Sequence, residues 1–279
     1  MGDRHRCWIK QLRFGLSSQQ IWHNMLRDDD WEDEYRTGEN EPLKHFIIPA
    51  LKHSQSYWRA SGYFSSSILD LIGQSMGDFV NRGGKMDLVT SVHLSEQDKQ
   101  AIADGHKNRD ELVEEALKKI VENDFKAPLP KGVMLLSKML AVKALNIKIA
   151  TTQNGGLFHS KMGIFIDDQE DYISFSGSQN ESLHSMVHTF EEIDAFTSWT
   201  DKRRARKKRM WFEKLWRGDA NKVKTYDFPD ALEKIIIRRA EETEQMGDKN
   251  LDTTQIEQTG SKIETESIGE FDSRYSFQE

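Results

Sequence analysis

The clearest candidates for chemistry in this sequence are His159 and Lys161, which are two positions apart. An apolar run, Met162 to Ile166, follows them, then the segment 176–180 (Ser-Gly-Ser-Gln-Asn), and then Glu191. These residues supply an imidazole, an ammonium, hydroxyls, a carboxamide and a carboxylate. An imidazole can attack phosphorus, while cations and polar donors hold phosphate oxygens. The set therefore predicts attack on a phosphodiester without a metal ion.

The spacing of these residues indicates that they converge. Residues two apart on a strand project to one face, so His159 and Lys161 are expected to point together from a strand at 157–166. Asn180 follows a Gly-Ser turn whose backbone amides can approach an anion, and nearby serines can donate hydroxyl hydrogen bonds. The predicted phosphate ligands are Lys161, Ser176, Ser178 and Asn180.

Glu191 is the candidate partner of the imidazole. It opens the next predicted strand, where its carboxylate can accept a hydrogen bond from His159 Nδ1 and leave Nε2 free as the nucleophile. Glu192 competes for this role. The alternation that turns Ile193 and Ala195 inward places Glu191 on the same face, so Glu191 is preferred.

Strands alternating with helices must position these residues, and this alternation predicts a layered α/β sandwich. Strands are predicted near 57–64, 85–92, 147–151, 157–166, 172–176, 191–199 and 223–226. Helices are predicted near 43–53, 68–79, 110–123, 132–145, 201–216 and 229–241, with shorter helical segments at 95–105 and 181–188. Arg59 and Tyr63, on the first of these strands, are further candidates for substrate contact, although packing explains Tyr63 more simply.

The chain length of 279 residues allows one substantial core with extensions. We predict an N-terminal arm packed on the body at 1–42, a catalytic domain at 43–241, and an acidic disordered tail or linker at 242–279. The lone Cys7 cannot form an internal disulfide, and the sequence shows neither a bilayer-spanning apolar run nor a secretory signal. These features predict a cytoplasmic protein without a membrane partner.

Charge is unevenly distributed along the chain. The net charge is −7, yet residues 202–209 form one dense basic block. Such a block is either a solvated helix face or a surface that follows nucleic-acid phosphates. The second interpretation makes Arg203, Arg204, Arg206 and Lys207 candidate DNA contacts.

A metal centre is not predicted. His184 and His188 lie four apart on a predicted helical segment, but no cysteine or third histidine lies close in sequence. We expect neither a metal nor another cofactor.

At the motif residues the chain resembles the phospholipase D superfamily, whose pattern is His-x-Lys, a following Asp, Gly-Ser-x-Asn and a downstream Glu. The resemblance is greatest to the nuclease-like branch with a single motif, which includes metal-independent restriction endonucleases and helicase-associated domains. It covers about residues 57–240, including Gly83-Gly84-Lys85 and Glu191-Glu192. It implies a phospholipase D-like α/β/α sandwich with a mixed central sheet.

The resemblance implies a two-step displacement, in which His159 forms a covalent phosphohistidine and water then resolves it. Lys161 and Asn180 would bind phosphate, and Glu191 would orient the imidazole. The family combines two such motifs, one supplying the nucleophile and the other the acid. Because this chain has one copy, the resemblance implies a homodimer with the active site at the twofold interface.

The sequence departs from the family pattern at one position. The family Asp normally follows Lys after four intervening residues, which is Ile166 here, and Asp167 comes one place later. A strand bulge would present Asp167 to the site, so its role stays open.

The leading hypothesis is a metal-independent, dimeric nuclease acting on DNA, in phage defence or restriction with a helicase or ATPase partner. The first alternative is a catalytically inactive nucleic-acid-binding or scaffold subunit of such an assembly. A phospholipase is the second, disfavoured because no amphipathic anchor is evident. The acidic tail is also a candidate mask for the basic block.

Overall fold

The computed structural model describes residues 25–64, 66–91, 114–115, 117–119, 121, 130–152, 158–179 and 190–250, without the side chains of 245–250. Eight strands form one sheet in the order β1-β7-β6-β5-β2-β3-β4-β8. They are β1 (Glu34–Arg36), β2 (Ser56–Ser61), β3 (Lys85–Ser91), β4 (Leu145–Thr152), β5 (Lys161–Ile166), β6 (Tyr172–Gly177), β7 (Glu192–Thr197) and β8 (Val223–Asp227).

Helices lie between strands in sequence, and a further helix follows the last strand. They are α1 (Ile48–His53), α2 (Ile68–Asn81), α3 (Lys131–Ala141), α4 (Lys202–Arg217) and α5 (Asp230–Asn250). A 3-10 turn at Leu26–Asp28 precedes β1, and a π-helical turn at Leu43–Ile47 leads into α1. The described residues within 114–121 are also helical, whereas 95–105 and 181–188 lie outside the described residues.

The sheet is mixed, as predicted. β2, β3 and β4 are parallel, whereas β5, β6 and β7 form an antiparallel meander joined to β2 through β5. The central strands are apolar along most of their length because helices cover both of their faces. One face packs through Phe46, Ile72, Leu136 and Ile236 onto β2, β5 and their neighbours.

The other face is covered by α4. Phe212 and Leu215 of this helix are buried, and the Phe212 ring stacks on Trp58 with 5.3 Å between ring centroids. Helices therefore cover both faces, and the predicted α/β/α sandwich is confirmed. None of the described helices is long and apolar enough to cross a lipid bilayer.

The N-terminal arm contributes an edge strand to the sheet, which its irregular sequence pattern does not predict. Leu26 and Tyr35 are buried, and β1 adds an edge strand to the sheet by pairing Tyr35 with Ile193. A three-residue strand holds too little alternation to be recognised from sequence. Residues 1–24 lie outside the described residues.

At the other terminus, α5 continues past the predicted end at 241. Its residue Glu244 forms an ion pair with Lys138 of α3 at 2.9 Å. The segment has few large apolar residues, but Glu and Gln are good helix formers, so the helix continues without a strong apolar face. The predicted tail from 251 onward lies outside the described residues.

The strand ends that matter for function meet at one end of the sheet, called here the site end. β2 and β6 finish there, and β5 and β7 begin there, as the register shows by pairing Ser61 with Lys161 and Gly177 with Ile193. β5 begins at Lys161, later than predicted, so His159 belongs to the segment that leads into the strand.

Candidate active site

His159 and Lys161 meet at the site end of the sheet. His159 is exposed, and its Nε2 lies 2.6 Å from Lys161 Nζ. An ammonium can only donate, so Nε2 accepts this hydrogen bond and the ring proton of a neutral imidazole lies on Nδ1. The nucleophilic nitrogen of His159 is therefore held beside a cation, and its lone pair becomes free for attack when a bound anion takes over the ammonium.

The end of β2 fixes the backbone at His159. A side-chain carbon at Gly62 would lie 2.9 Å from the Phe158 carbonyl oxygen and 3.2 Å from His159 Cα. Phe158 is itself buried in the core beneath α4. Close packing on one side and an anchored neighbour on the other hold the imidazole segment in place although its side chain is exposed.

Glu191 lies directly before β7 and is 3% exposed. Thr37 holds its backbone, since Glu191 N donates to Thr37 Oγ1 at 3.1 Å and Thr37 N donates to the Glu191 carbonyl at 3.0 Å. Its carboxylate accepts a hydrogen bond from Ser178 Oγ, which in turn accepts one from Glu192 N at 3.1 Å. Glu191 and Ser178 are thus joined beside the site.

The hydrogen bond predicted from His159 to Glu191 is not made. In the described part of the chain, His159 contacts Lys161, and no hydrogen bond joins its ring to the Glu191 carboxylate. Glu191 instead acts on the ammonium: burial lowers the pKa of Lys161, and the negative charge of Glu191 opposes that lowering. The carboxylate is therefore placed to balance the cation of the site.

Arg59 is a second cation at this site, 1% exposed in the middle of β2. Its Nη2 donates to the Gln179 carbonyl at 2.6 Å, and its guanidinium lies 5.1 Å from the centroid of the Phe175 ring. Burial lowers the pKa of Lys161, and the charge of Arg59 lowers it further. Arg59 thus both ties down the segment after β6 and tunes the neighbouring ammonium.

Two glycines allow the strands to approach closely here. A side-chain carbon at Gly163 would lie 2.4 Å from the Phe175 ring, and one at Gly177 would lie 1.8 Å from the Glu192 carbonyl oxygen. Gly163 therefore leaves room for the ring beneath Arg59. Gly177 permits the β6–β7 contact that brings Ser178 to Glu191.

Ser176 lies apart from the other predicted phosphate ligands. Its hydroxyl accepts a hydrogen bond from Lys208 Nζ at 2.7 Å, on the face of the sheet covered by α4. Successive strand residues face opposite sides, so Ser176 lies away from Lys161 and Arg59. Burial lowers the pKa of this Lys208, and Asp194 raises it. Asn180, the fourth predicted ligand, lies outside the described residues.

Asp167 does not belong to the site. It ends up beyond the far end of β5, about 20 Å from Lys161 at the usual strand rise. It is 3% exposed and accepts backbone hydrogen bonds from Leu26, Gln169 and Asp171 at 3.1, 3.0 and 2.9 Å. Burial raises the pKa of Asp167, and these three amides lower it. Its role is to close a turn and fasten the N-terminal arm.

The basic block forms the first half of α4 and divides into two groups. Arg204 lies over the Phe196 ring at 5.5 Å, and Arg209 lies over Tyr172 at 4.9 Å while pairing with Glu170. These cations are occupied within the chain. Arg204 is nevertheless exposed, as are Lys202, Arg203, Arg206 and Lys207.

One acidic group has the spacing of a cation site. Ligand oxygens of Glu34, Glu192 and Asp194 all lie within 4.8 Å of one another, and the three residues are exposed. Arg36 lies among them, 2.6 Å from Glu34 and 3.5 Å from Glu192, and balances their charge. The group is therefore accounted for as a surface ion-pair network. His184 and His188 lie outside the described residues.

No protein-family model and no curated protein matches this sequence. Similar solved structures include NucT from Helicobacter pylori (15% identity, 69% of this chain and 97% of that chain, TM-score 0.40). Another is Nuc from Salmonella typhimurium, described as a phospholipase D family member (13%, 71% and 97%, TM-score 0.38). A third is phosphatidylserine synthase from Haemophilus influenzae (11%, 77% and 46%, TM-score 0.39). All three TM-scores lie below 0.5, so these similarities carry no argument about activity.

Proposed function

We propose that this chain is a phosphodiesterase that cleaves DNA without a metal ion, through a covalent phosphohistidine at His159. The observation that carries the proposal is the 2.6 Å contact between His159 Nε2 and Lys161 Nζ. It supports a neutral imidazole whose nucleophilic nitrogen lies where an ammonium can bind a phosphate oxygen.

In the first step, His159 Nε2 attacks phosphorus, a P–N bond forms, and the bond to the leaving oxygen breaks. The leaving oxygen takes a proton from a general acid. In the second step, water attacks phosphorus, the P–N bond breaks, and the same group accepts the proton of that water. Lys161 binds the negatively charged phosphoryl oxygens in both steps, assisted by Asn180 and by the Ser178 hydroxyl once it turns from Glu191 to the phosphate.

The general acid is proposed to come from a second copy of the chain. Each chain supplies one His-x-Lys segment, so a homodimer with its site on the twofold axis brings two His159 rings to one phosphate. One ring then acts as the nucleophile and the other as the acid. The exposure of His159 at the site end supports this arrangement, because its ring is accessible to a partner.

Glu191 and Arg59 are proposed to control the charge of the site. Glu191 favours the protonated form of Lys161, which is the form that binds phosphate. Arg59 holds Gln179 and hence the segment that presents Ser178. The orienting role expected of Glu191 toward His159 remains part of the proposal for the substrate-bound dimer.

DNA is the proposed substrate because the exposed part of α4 adds cations to an otherwise acidic chain. The exposed side chains of Arg203, Arg204, Arg206 and Lys207 would neutralise backbone phosphates. A role in phage defence or restriction, a helicase or ATPase partner and a cytoplasmic location rest on the sequence resemblance alone.

The direct test is cleavage of labelled DNA in excess EDTA, with trapping of the protein–DNA adduct under alkaline denaturing conditions. We expect cleavage and an adduct for the native chain, and neither for His159→Ala. His45→Ala is the matched control, since this exposed histidine lies in the turn before α1. Complete loss of cleavage with EDTA would exclude the metal-free mechanism.

A catalytically inactive DNA-binding subunit is the second candidate. The observation that favours it is the missing hydrogen bond between His159 and Glu191, which leaves the imidazole without its expected orienting partner in the described residues. Salt-dependent DNA binding by the native chain that persists in His159→Ala, with no cleavage of any substrate by either, would support this candidate.

A further inference from the structure

Two exposed aromatic rings lie on either side of the candidate site. Among the described residues, Phe190 and Tyr63 are the most exposed large hydrophobic side chains, at 65% and 56%. The sequence favours packing as the explanation for Tyr63, and this exposure contradicts it. Single exposed apolar side chains are common on protein surfaces, so the feature that distinguishes these two rings is their place beside the candidate site.

Both rings belong to the site end. Tyr63 follows β2 directly after Gly62, the residue in close contact with the His159 backbone. Phe190 directly precedes Glu191, the residue joined to Ser178. In the sheet order β7-β6-β5-β2, the strands of Ser178 and Lys161 therefore lie between the two aromatic residues.

The spacing fits a nucleotide strand. β7 and β2 are three strand intervals apart, which is about 14 Å at the usual interstrand distance. Lys161 lies on β5, one interval (about 5 Å) from β2 and two intervals (about 10 Å) from β7, so a phosphate that it holds has one aromatic residue on each side. The bases on the two sides of a phosphodiester lie at such distances from it.

The backbone at each aromatic residue is anchored although the rings are exposed. Ser61 Oγ donates to the Tyr63 carbonyl at 2.5 Å. Thr37 donates its backbone N–H to the carbonyl of Glu191, the neighbour of Phe190, and accepts a hydrogen bond from Glu191 N through Oγ1. A ring on a fixed backbone loses little conformational freedom when it binds. This arrangement suits stacking better than an exposed ring on a free terminus would.

We propose that Tyr63 and Phe190 form two nucleobase subsites, one on each side of the cleaved phosphate, so that the preferred substrate is a strand with unpaired bases. The proposal rests on the phosphodiesterase function proposed above. An aromatic face stacks on any base, so the subsites add affinity with little sequence preference. Paired bases in a duplex are already stacked within the helix and do not reach both rings.

The first experiment measures binding by fluorescence anisotropy, using the full chain and three labelled probes of equal length. The probes are a thymidine oligonucleotide, the same backbone with abasic sites throughout, and a duplex. We expect the thymidine strand to bind tightest. Phe190→Ala and Tyr63→Ala should each weaken its binding by about tenfold, and leave the abasic strand unchanged, because stacking on one aromatic residue is lost.

Matched variants separate stacking from apolar contact. Phe190→Tyr should retain the affinity for the thymidine strand, whereas Phe190→Leu, of similar apolar size, should lose it. Val142→Ala removes an exposed apolar side chain just after α3, at the opposite end of the sheet, and should change nothing. Equal binding of thymidine and abasic strands by the native chain, or equal weakening of both by Phe190→Ala, would overturn the subsites.

Cleavage assays keep the two proposals apart. Cleavage of the thymidine and abasic strands with equal kcat/KM would exclude the subsites and leave the phosphodiesterase intact. Base-dependent binding that Phe190→Ala abolishes, together with no cleavage of any probe, would exclude the phosphodiesterase and leave the subsites intact.

Discussion

β5 has polar residues at both ends, and their surroundings are opposite. At its start, His159 and Lys161 contact each other near the surface. Past its end, buried Asp167 accepts three backbone hydrogen bonds that tie down a turn and the N-terminal arm. The hydrogen bonds of Asp167 are made within the fold, so this carboxylate stabilises the structure. His159 and Lys161 contact each other near the surface, so a ligand can reach them.

The largest expected effect on activity comes from the start of β5. Lys161→Ala should lower kcat/KM for DNA cleavage by about 100- to 1,000-fold, because it removes the charge that holds the phosphate during attack. The melting temperature should change little, because Lys161 is partly exposed and its ammonium forms a hydrogen bond with the exposed His159 ring. A large loss of stability with unaltered turnover would show that Lys161 serves the fold and not the site.

The far end should give the converse result. Asp167→Ala should reduce the free energy of unfolding by about 2–3 kcal/mol, because three backbone amides lose a charged acceptor. The kcat of the folded protein should remain close to that of the native chain. Urea denaturation checks this, with the exposed neighbour Asp168→Ala as control. Loss of activity in folded Asp167→Ala would show that this carboxylate takes part in the reaction.

A pH profile tests the charges around Lys161. The proposed mechanism requires the protonated ammonium, so the alkaline loss of kcat/KM should follow its pKa, which burial already lowers. Glu191→Gln removes a charge that raises this pKa, so the alkaline limb should move to lower pH. Arg59→Met removes a charge that lowers it, so the limb should move to higher pH. Shifts in the same direction for both variants would contradict this account.

The smallest effect separates two serines of one motif. Ser178→Ala should lower kcat/KM by about tenfold, since a hydrogen bond to a charged group at the site is lost. Ser176→Ala should leave kcat/KM unchanged, because its hydroxyl contacts Lys208 on the other face of the sheet. Equal effects of the two substitutions would mean that both hydroxyls serve the same phosphate.

The two ends of β5 differ in how much of their structure the sequence predicts. The alternation of strands and helices predicts the layered sandwich, and the spacing of His159 and Lys161 predicts their meeting. The sequence pattern leaves the role of Asp167 open and predicts that Ser176 and Ser178 bind the same phosphate. Both difficulties arise from contacts distant in sequence, with Leu26 in the first case and Lys208 in the second.

The sequence by itself determined the α/β class, the approximate positions of most elements and the pair at the centre of the candidate site, because these depend on local periodicity and short spacing. Only the tertiary structure decided which carboxylate is structural, which serine lies beside Glu191, and that Arg59 is a buried cation next to Lys161. These outcomes depend on strand order and on which face of the sheet each side chain occupies. Strand order and side-chain face are both determined by the pairing of strands that are distant in sequence, which a local pattern does not predict.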